Sequence, residues 1–305
     1  AAEALGYRSR IRLHVDHRGR VGYFARGSHD VVEIDDCPIA RPAVLEALGA
    51  LRGGVAAAIL GPEVSGVELR EGDETAPWAV HLFMRARRAR PSRRLTAALT
   101  TLSGPDAAVW VGGRVFLGPP RLRYPLPGGL YLLAGPSSFT QANPAVNGAL
   151  VTHVLEVVGT DRTFLDLYCG AGNFTLPLLA RGATGVGVEL SPDAVDSGNE
   201  AATRQSLPPG AFVQARVDPR LARRLTGGDP GVVLLDPPRT GAREAVPLLA
   251  ELAPERIVYV GCDPVTQARD VGQLCTQGFH VASWELFDLF PQTHHVEGVV
   301  ELVRD

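Results

Sequence analysis

Cys262 stands between the apolar run RIVYV (256–260) and Pro264, with Gly261 before it and Asp263 after it. A thiol where a buried strand ends and a helix begins is badly placed for packing and well placed for attack. The helix N-terminus lowers a thiol pKa and favours the thiolate, and Pro264 suits the first helical position. A second stretch, LDLYCGAGNF (165–174), sets Asp166, Tyr168, Gly170, Gly172 and Asn173 at a strand–loop–helix turn. Glycines there let backbone approach a ligand closely. Glu189 closes the run GVGVEL, and Asp236 closes GVVLLD just before Pro237 and Pro238.

These residues need a scaffold that brings strand ends together. TFLDLY, GVGVEL, GVVLLD and RIVYVG are near-continuous apolar runs, the signature of parallel strands buried on both faces. AGNFTLPLLARG, SPDAVDSGNEAATRQ, GAREAVPLLAELA and DPVTQARDVGQLCTQG lie between or after them and read as helices. The pattern predicts a doubly wound, Rossmann-like α/β sheet, in which ligands bind beyond the carboxyl ends of the strands. The first half differs. RIRLHVD and RVGYFAR alternate like half-buried antiparallel strands, GVELRE and WAVHLFMRARR read as further strands, and RPAVLEALGALRGGVAAAIL reads as a helix followed by a turn. That predicts a smaller α+β domain over 1–130 and an α/β domain over 131–305. The junction lies in the Pro/Gly-rich stretch from Gly118 to Pro136.

Composition narrows the classes. The 305 residues include no lysine, so the non-histidine cations are all arginine, whose planar fork suits phosphate. Residues 1–130 carry 18 Arg against 13 acids, or +5; residues 131–305 carry 12 against 20, or −8, summing to −3. The densest basic run holds Arg85, Arg87, Arg88, Arg90, Arg93 and Arg94, candidates for contacting RNA phosphates. No apolar run is long enough to cross a bilayer, so no membrane partner is expected. The four cysteines are scattered, without a zinc-like spacing, so no metal is expected and the reducing cytoplasm is the expected compartment. A monomer is expected.

Any one of the strand-end acids is as well explained by a helix cap. Three strand-end signals in series are not. No third glycine completes dinucleotide spacing, and the set points to a nucleoside cofactor with a cationic or small group. S-adenosylmethionine fits better than NAD.

Five segments occur in order: SFTQANPAVN (138–147), LDLYCGAGNFTLPLL (165–179), LLDPPRTG (234–241), YVGCDPVTQARD (259–270) and FDLFPQTHHVE (287–297). The series resembles the RNA uracil-5-methyltransferase family, which makes 5-methyluridine in tRNA and rRNA. The likeness covers the second half and reaches into the first through GYRSRIRLHVD and VVEIDDCPIARP. It implies a class I methyltransferase fold, with S-adenosylmethionine as cofactor and rRNA or tRNA as partner. By this resemblance Gln141 binds cofactor and orients the uracil, while Tyr168, Gly170, Asn173 and Glu189 line the cofactor site. Asp236 is the family's strand-end acid, Cys262 the nucleophile and Glu297 the general base. The chemistry agrees: a thiolate adding to carbon 6 of uracil activates carbon 5, and a base must later remove the carbon-5 proton.

The chain departs from the family in carrying Gly261 and Asp263 where Ser and Asn are usual. An acid beside the thiol would raise its pKa if turned inward. Cys37 matches one ligand of the iron–sulfur site of some members, and the other three have no counterpart, so no cluster is expected in this chain. Either the protein is naturally cluster-free or a segment is missing, and the N-terminal β-barrel of some members is likewise not expected in this chain. Cys275, in mid-helix, reads as a small buried core residue. Two other readings compete: a catalytically idle RNA-binding protein that keeps the fold, and a methyltransferase acting on another base. The pairing of Cys262 with Glu297 argues against both.

Overall fold

A computed structural model describes residues 3–86, 90–102, 107–159, 163–224 and 230–304. The chain divides into two compact units, Glu3–Tyr124 with Gly135–Ser137, and Pro125–Ala134 with Ser138–Asp305. The division thus falls within the Pro/Gly-rich stretch, at Tyr124/Pro125 rather than after residue 130, and Gly135–Ser137 returns to the first unit.

The first unit runs β1 (Arg10–Val15), β2 (Val21–Phe24), β3 (Val31–Glu33), α1 (Pro42–Gly54), α2 (Ala57–Glu63), β4 (Val64–Asp73), β5 (Ala76–Met84), α3 (Arg93–Leu102), β6 (Ala107–Val111) and β7 (Arg114–Leu117). The strands form one sheet in the order β3-β2-β1-β4-β5-β6-β7. All neighbours are antiparallel except β5 and β6, which α3 connects. Strand alternation sorts the faces. Ile11, Leu13 and Val15 of β1 are buried in one core with Val44, Leu48 and Leu51 of α1 and Leu95 and Leu99 of α3. The α1 residues repeat at the spacing of one helical face. The segment expected as a helix and a turn is two helices, because the chain restarts at Ala57 after the extended Val55.

In the second unit β9 (Tyr131–Ala134) follows β8 (Leu122–Pro125), whose last residue already belongs to it. Then come α4 (Pro144–Val158), β10 (Thr163–Leu167), α5 (Thr175–Ala180), β11 (Thr184–Glu189), α6 (Pro192–Arg204), β12 (Phe212–Gln214), β13 (Val232–Leu235), α7 (Val246–Leu252), β14 (Arg256–Gly261), α8 (Pro264–Thr276), β15 (Phe279–Phe287) and β16 (Glu297–Arg304). The sheet order is β12-β11-β10-β13-β14-β16-β15. Strands β10 to β14 are parallel, and β16 runs antiparallel between β14 and β15. The four apolar runs are β10, β11, β13 and β14. Leu165, Leu167, Val233, Leu235, Ile257 and Tyr259 from them fill one core. The strand order reverses between β10 and β13, the switch point where a doubly wound sheet opens a crevice. Cys275 departs from expectation: it lies on the exposed face of α8, while Leu274 beside it is the buried residue.

Candidate active site

The first wall of the crevice is the turn after β10. Tyr168 has φ 63°, Gly170 55° and Gly172 103°, so the loop winds through left-handed conformations that most side chains avoid. A Cβ on Gly172 would come within 2.6 Å of the Phe212 ring, whereas one on Gly170 would meet open space. The loop is therefore packed from behind and free in front. Glu189, half-buried at the end of β11, accepts from Gly170 N (3.1 Å), Leu190 N (2.7 Å) and Ser191 N (2.8 Å). Three of its roughly four acceptor positions are used, which leaves capacity for a hydroxyl. Asn173 and Asn147 exchange side-chain hydrogen bonds of 2.9 and 3.0 Å, tying α4 to the loop. Gln141 is half-buried just ahead of α4, whose N-cap Asn143 accepts from Val146 N. Beneath the loop, buried Asp166 accepts from the Thr175 hydroxyl (2.6 Å), and its other oxygen has no partner. Burial first, then the nearby Asp236 and Glu189 charges, push its pKa up to about 7. An acceptor at a strand end, an open glycine turn and a braced asparagine fit the nucleoside end of S-adenosylmethionine.

The second wall is built by β13, β14 and β16. The antiparallel register pairs Val260 with Val299 and Gly261 with Gly298. Continued by one residue, it sets Cys262 opposite Glu297. Cys262 is half-buried and Glu297 buried. Asp236, one residue past β13, donates its backbone N–H to Leu167 O (3.3 Å). Arg239 follows, with its Nη2 3.2 Å from His295 Nε2. The loop is pinned from behind by Asp270, wholly buried, which accepts from Ala242 N (2.6 Å), the Tyr259 hydroxyl (2.8 Å) and Arg269 Nε (2.9 Å). Gln267, also buried, donates to Tyr259 O (3.1 Å) and Gly298 O (2.9 Å), joining the two strands beside Cys262 and Glu297.

Electrostatics ties this group together. Burial raises the Cys262 thiol, the Glu297 and Asp236 charges raise it further, and Arg239 opposes them. This corrects the expectation of a lowered thiol pKa, because desolvation and two carboxylates outweigh the helix terminus. Burial brings Glu297 up to about 7 against the pull of Arg239. Asp236 goes well above the carboxylate range, from burial and from Glu297. Two carboxyl groups in one dry site cannot both ionise freely, so the pair retains a proton near neutrality. Asp263 does not join them. It is the N-cap of α8, accepting from Val265 N (3.0 Å) and Thr266 N (2.9 Å), and those bonds lower its own pKa.

The crevice thus gathers Tyr168, Gly170, Asn173 and Glu189 on one side, and Asp236, Cys262 and Glu297 on the other. Sequence reading missed Asn147, Arg239, Gln267 and Asp270. Each lies inside a quoted motif, but its role depends on partners far along the chain. The arginine run belongs to the first unit. Arg85 is committed to structure, donating to Gly61 O (2.8 Å) and Val15 O (2.7 Å). Arg90, Arg93 and Arg94 are exposed, and Arg87 and Arg88 lie outside the described residues.

The sheet order, the open first loop and the acid-tipped strands define a Rossmann-like class I methyltransferase. Comparison with known proteins agrees. Residues 132–305 match the tRNA (uracil-5-)-methyltransferase family. The 23S rRNA (uracil(1939)-C(5))-methyltransferase RlmD of Alkalilimnicola ehrlichii is 38% identical, over 98% of this chain and 71% of that protein. RlmD of Pseudomonas fluorescens is 35% identical, over 96% and 67%. The crystal structure of Pyrococcus abyssi tRNA (uracil-54, C5)-methyltransferase in complex with S-adenosyl-L-homocysteine is 26% identical, with a TM-score of 0.79 over 99% of this chain and 77% of that one. The chain belongs to the tRNA (uracil-5-)-methyltransferase family, and is an S-adenosylmethionine-dependent RNA uridine-5-methyltransferase.

Proposed function

We propose that the protein methylates carbon 5 of a uridine in 23S rRNA through a covalent bond between Cys262 and the base. The observation that carries the mechanism is the register that sets Cys262 opposite Glu297, with Asp236 within electrostatic reach of both. The rRNA target is supported by the RlmD relatives, which are more similar than the tRNA enzyme of Pyrococcus abyssi.

Tyr168, Gly170, Asn173 and Glu189 would hold S-adenosylmethionine, and Gln141 would orient the uracil. The cofactor, when bound, supplies an electrophilic methyl group to carbon 5. The half-buried Cys262 thiol gives its proton to solvent, and the thiolate adds to carbon 6, forming a carbon–sulfur bond and moving the ring's double-bond electrons toward the oxygen on carbon 4. The pair retains a proton near neutrality, and with that proton on Asp236 its carboxyl donates a hydrogen bond to that oxygen. Glu297, as carboxylate, takes the proton left on methylated carbon 5. The freed electron pair restores the carbon 5–carbon 6 double bond and expels the Cys262 thiolate.

The test is methyl transfer from tritiated cofactor to 23S rRNA and to tRNA, each from a strain lacking 5-methyluridine. Label in 23S rRNA as 5-methyluridine is expected, and label confined to tRNA would overturn the target. RNA containing 5-fluorouracil should stay attached to the protein on a denaturing gel, since fluorine cannot leave as a proton does. No such adduct would overturn covalent catalysis.

A further inference from the structure

The first unit covers one face of its sheet with α1, α2 and α3. The opposite face carries the side chains that alternation turns away from that core. At one end this face is closed. Arg70 is buried there, donating to Gly135 O (3.0 Å), with its guanidinium 5.4 Å from the centre of the buried Trp110 ring. At the other end it is open, and a concavity of about 390 Å³ lies on it. That is within the range of about 300–1,000 Å³ typical of ligand sites.

The register explains the concavity. His14 pairs with Gly22 on one side and Gly66 on the other, and Gly66 pairs with Phe83. Gly66 leaves the sheet without a side chain beside His14 and lines the concavity, whereas the space over Gly22 is taken by the Val32 backbone. His14 and Phe24 are stacked face to face, with centroids 3.5 Å apart and planes 12° from parallel. Across Gly66, the Arg12 guanidinium lies 4.1 Å from the centre of the Phe83 ring. Phe83 is already covered, by Arg12 and by the His81 ring 4.3 Å away between centroids, so His14 and Phe24 are the rings placed to take a base. Two arginines, three histidines and a single acid line the concavity. That acid, Asp16, is turned to Arg20 (2.7 Å) and to the backbone N–H groups of Arg18 and Arg20. Phe24 is 38% exposed, a large ring left in water beside cations.

We propose that this slot binds an unpaired nucleobase of the RNA, stacked on the His14–Phe24 pair, with Arg12 on the adjoining phosphate. The proposal rests on the reading of the protein as an RNA enzyme and places a second contact on the first unit, in addition to the reacting uridine. Flat side chains on an open sheet face, flanked by arginine, suit single-stranded RNA, because every base has a stacking face and every linkage a negative charge.

The test uses the whole chain with a fluorescein-labelled single-stranded oligoadenylate and an abasic strand of the same length. Phe24→Ala and His14→Ala should each weaken oligoadenylate binding about tenfold, the value of one stacked base, and leave abasic binding unchanged. Phe24→Trp, which keeps a flat ring, should keep the affinity. Thermal unfolding of each variant, with cofactor affinity measured alongside, reports folding of both units independently of RNA. Equal wild-type affinity for the two strands, or unchanged oligoadenylate affinity in both alanine variants, would overturn the slot. So would a Phe24→Trp variant as weak as Phe24→Ala with cofactor binding intact, since Phe24 would then serve packing alone. Methyl transfer to 23S rRNA by the same preparations separates the two readings. Transfer without any alanine effect removes the slot only, and an alanine effect without transfer removes the 23S rRNA target only.

Discussion

The two sheets use their surfaces in opposite ways. In the second unit, strands β10, β13 and β14 are buried through most of their length and β11 at Gly187 and Val188, so side chains from their middles serve packing. Only the strand ends are free for chemistry, and Tyr168, Glu189, Asp236 and Cys262 all stand at or just past one. In the first unit the sheet is mainly antiparallel, with helices on one face, and β1 sends Ile11 and Leu13 inward and Arg12 and His14 outward. A sheet buried on both faces concentrates reactive groups at points held by backbone. A sheet with an open face offers a lattice of side chains suited to a long polymer. Changes at the strand ends should therefore alter rate or cofactor affinity, and changes on the open face should alter RNA affinity alone.

The largest effect is expected from Cys262→Ala. Methyl transfer should fall on the order of 10⁴-fold or more, with cofactor affinity unchanged, because the thiol contacts the base. Single-turnover transfer within tenfold of wild type would remove the strand-end thiol from the chemistry. Glu297→Gln comes next, with turnover lowered roughly 10²–10⁴-fold and protein–RNA adduct accumulating. Its pH dependence has a definite sign. Glu297 acts as a base only when ionised, and its pKa lies at about 7, while the thiol is raised above its ordinary value. Wild-type kcat/KM should therefore rise with pH through about 7 and go on rising. Glu297→Gln also removes a negative charge that holds the thiol protonated. In a Cys275→Ser background, chosen because Cys275 is exposed, alkylation of Cys262 should shift to lower pH. A shift the other way would mean that the two groups do not face each other.

Much of this was legible in the sequence. The apolar runs gave four parallel strands, since only a two-sided burial makes four to six residues continuously apolar. The acids and the thiol that end them were visible because turn residues follow at once. Three things were not. The hairpin of β15 and β16 has a largely exposed edge strand, so its apolar signal is weak. The thiol pKa depends on Glu297 and Asp236, which sit 35 and 26 positions from Cys262 along the chain yet face it through the sheet. Asp263 looked like a threat to the thiolate, and only the cap geometry of α8 shows where its carboxylate goes.

Glu189→Ala should weaken S-adenosylmethionine binding by about 1.5–3 kcal/mol, the value of a charge-assisted hydrogen bond. Because Glu189 also braces Gly170 and the start of α6, Glu189→Gln sharpens the result. The amide keeps one acceptor oxygen for the backbone and loses the charge, so it should recover part of the affinity. Equal calorimetric affinity in wild type and both variants would place the cofactor elsewhere.

The smallest expected effect tests how rigidly a strand end must be held. Gln267 is buried between β14 and β16, and glycine occupies both places nearest its amide. A Cβ on Gly298 would lie 2.5 Å from Gln267 Oε1, and one on Gly261 3.0 Å from Nε2. The amide thus fills space that two glycines leave open, and its two donated bonds fasten Tyr259, three residues before Cys262, to Gly298, the residue after Glu297. Gln267→Leu keeps similar bulk but leaves two carbonyls without that donor, at a cost of about 1–3 kcal/mol if nothing replaces it. Part of that cost should appear as misplacement of thiol and base. We expect kcat to fall about tenfold, while KM for RNA and cofactor affinity stay within twofold and the thiol alkylation profile shifts. A loss confined to kcat would separate the strand ends, which set rate, from the open face, which sets affinity. Parallel losses in kcat and cofactor binding would mean that Gln267 supports the whole unit. An unchanged kcat would mean that the β14–β16 hydrogen bonds alone hold Cys262 opposite Glu297.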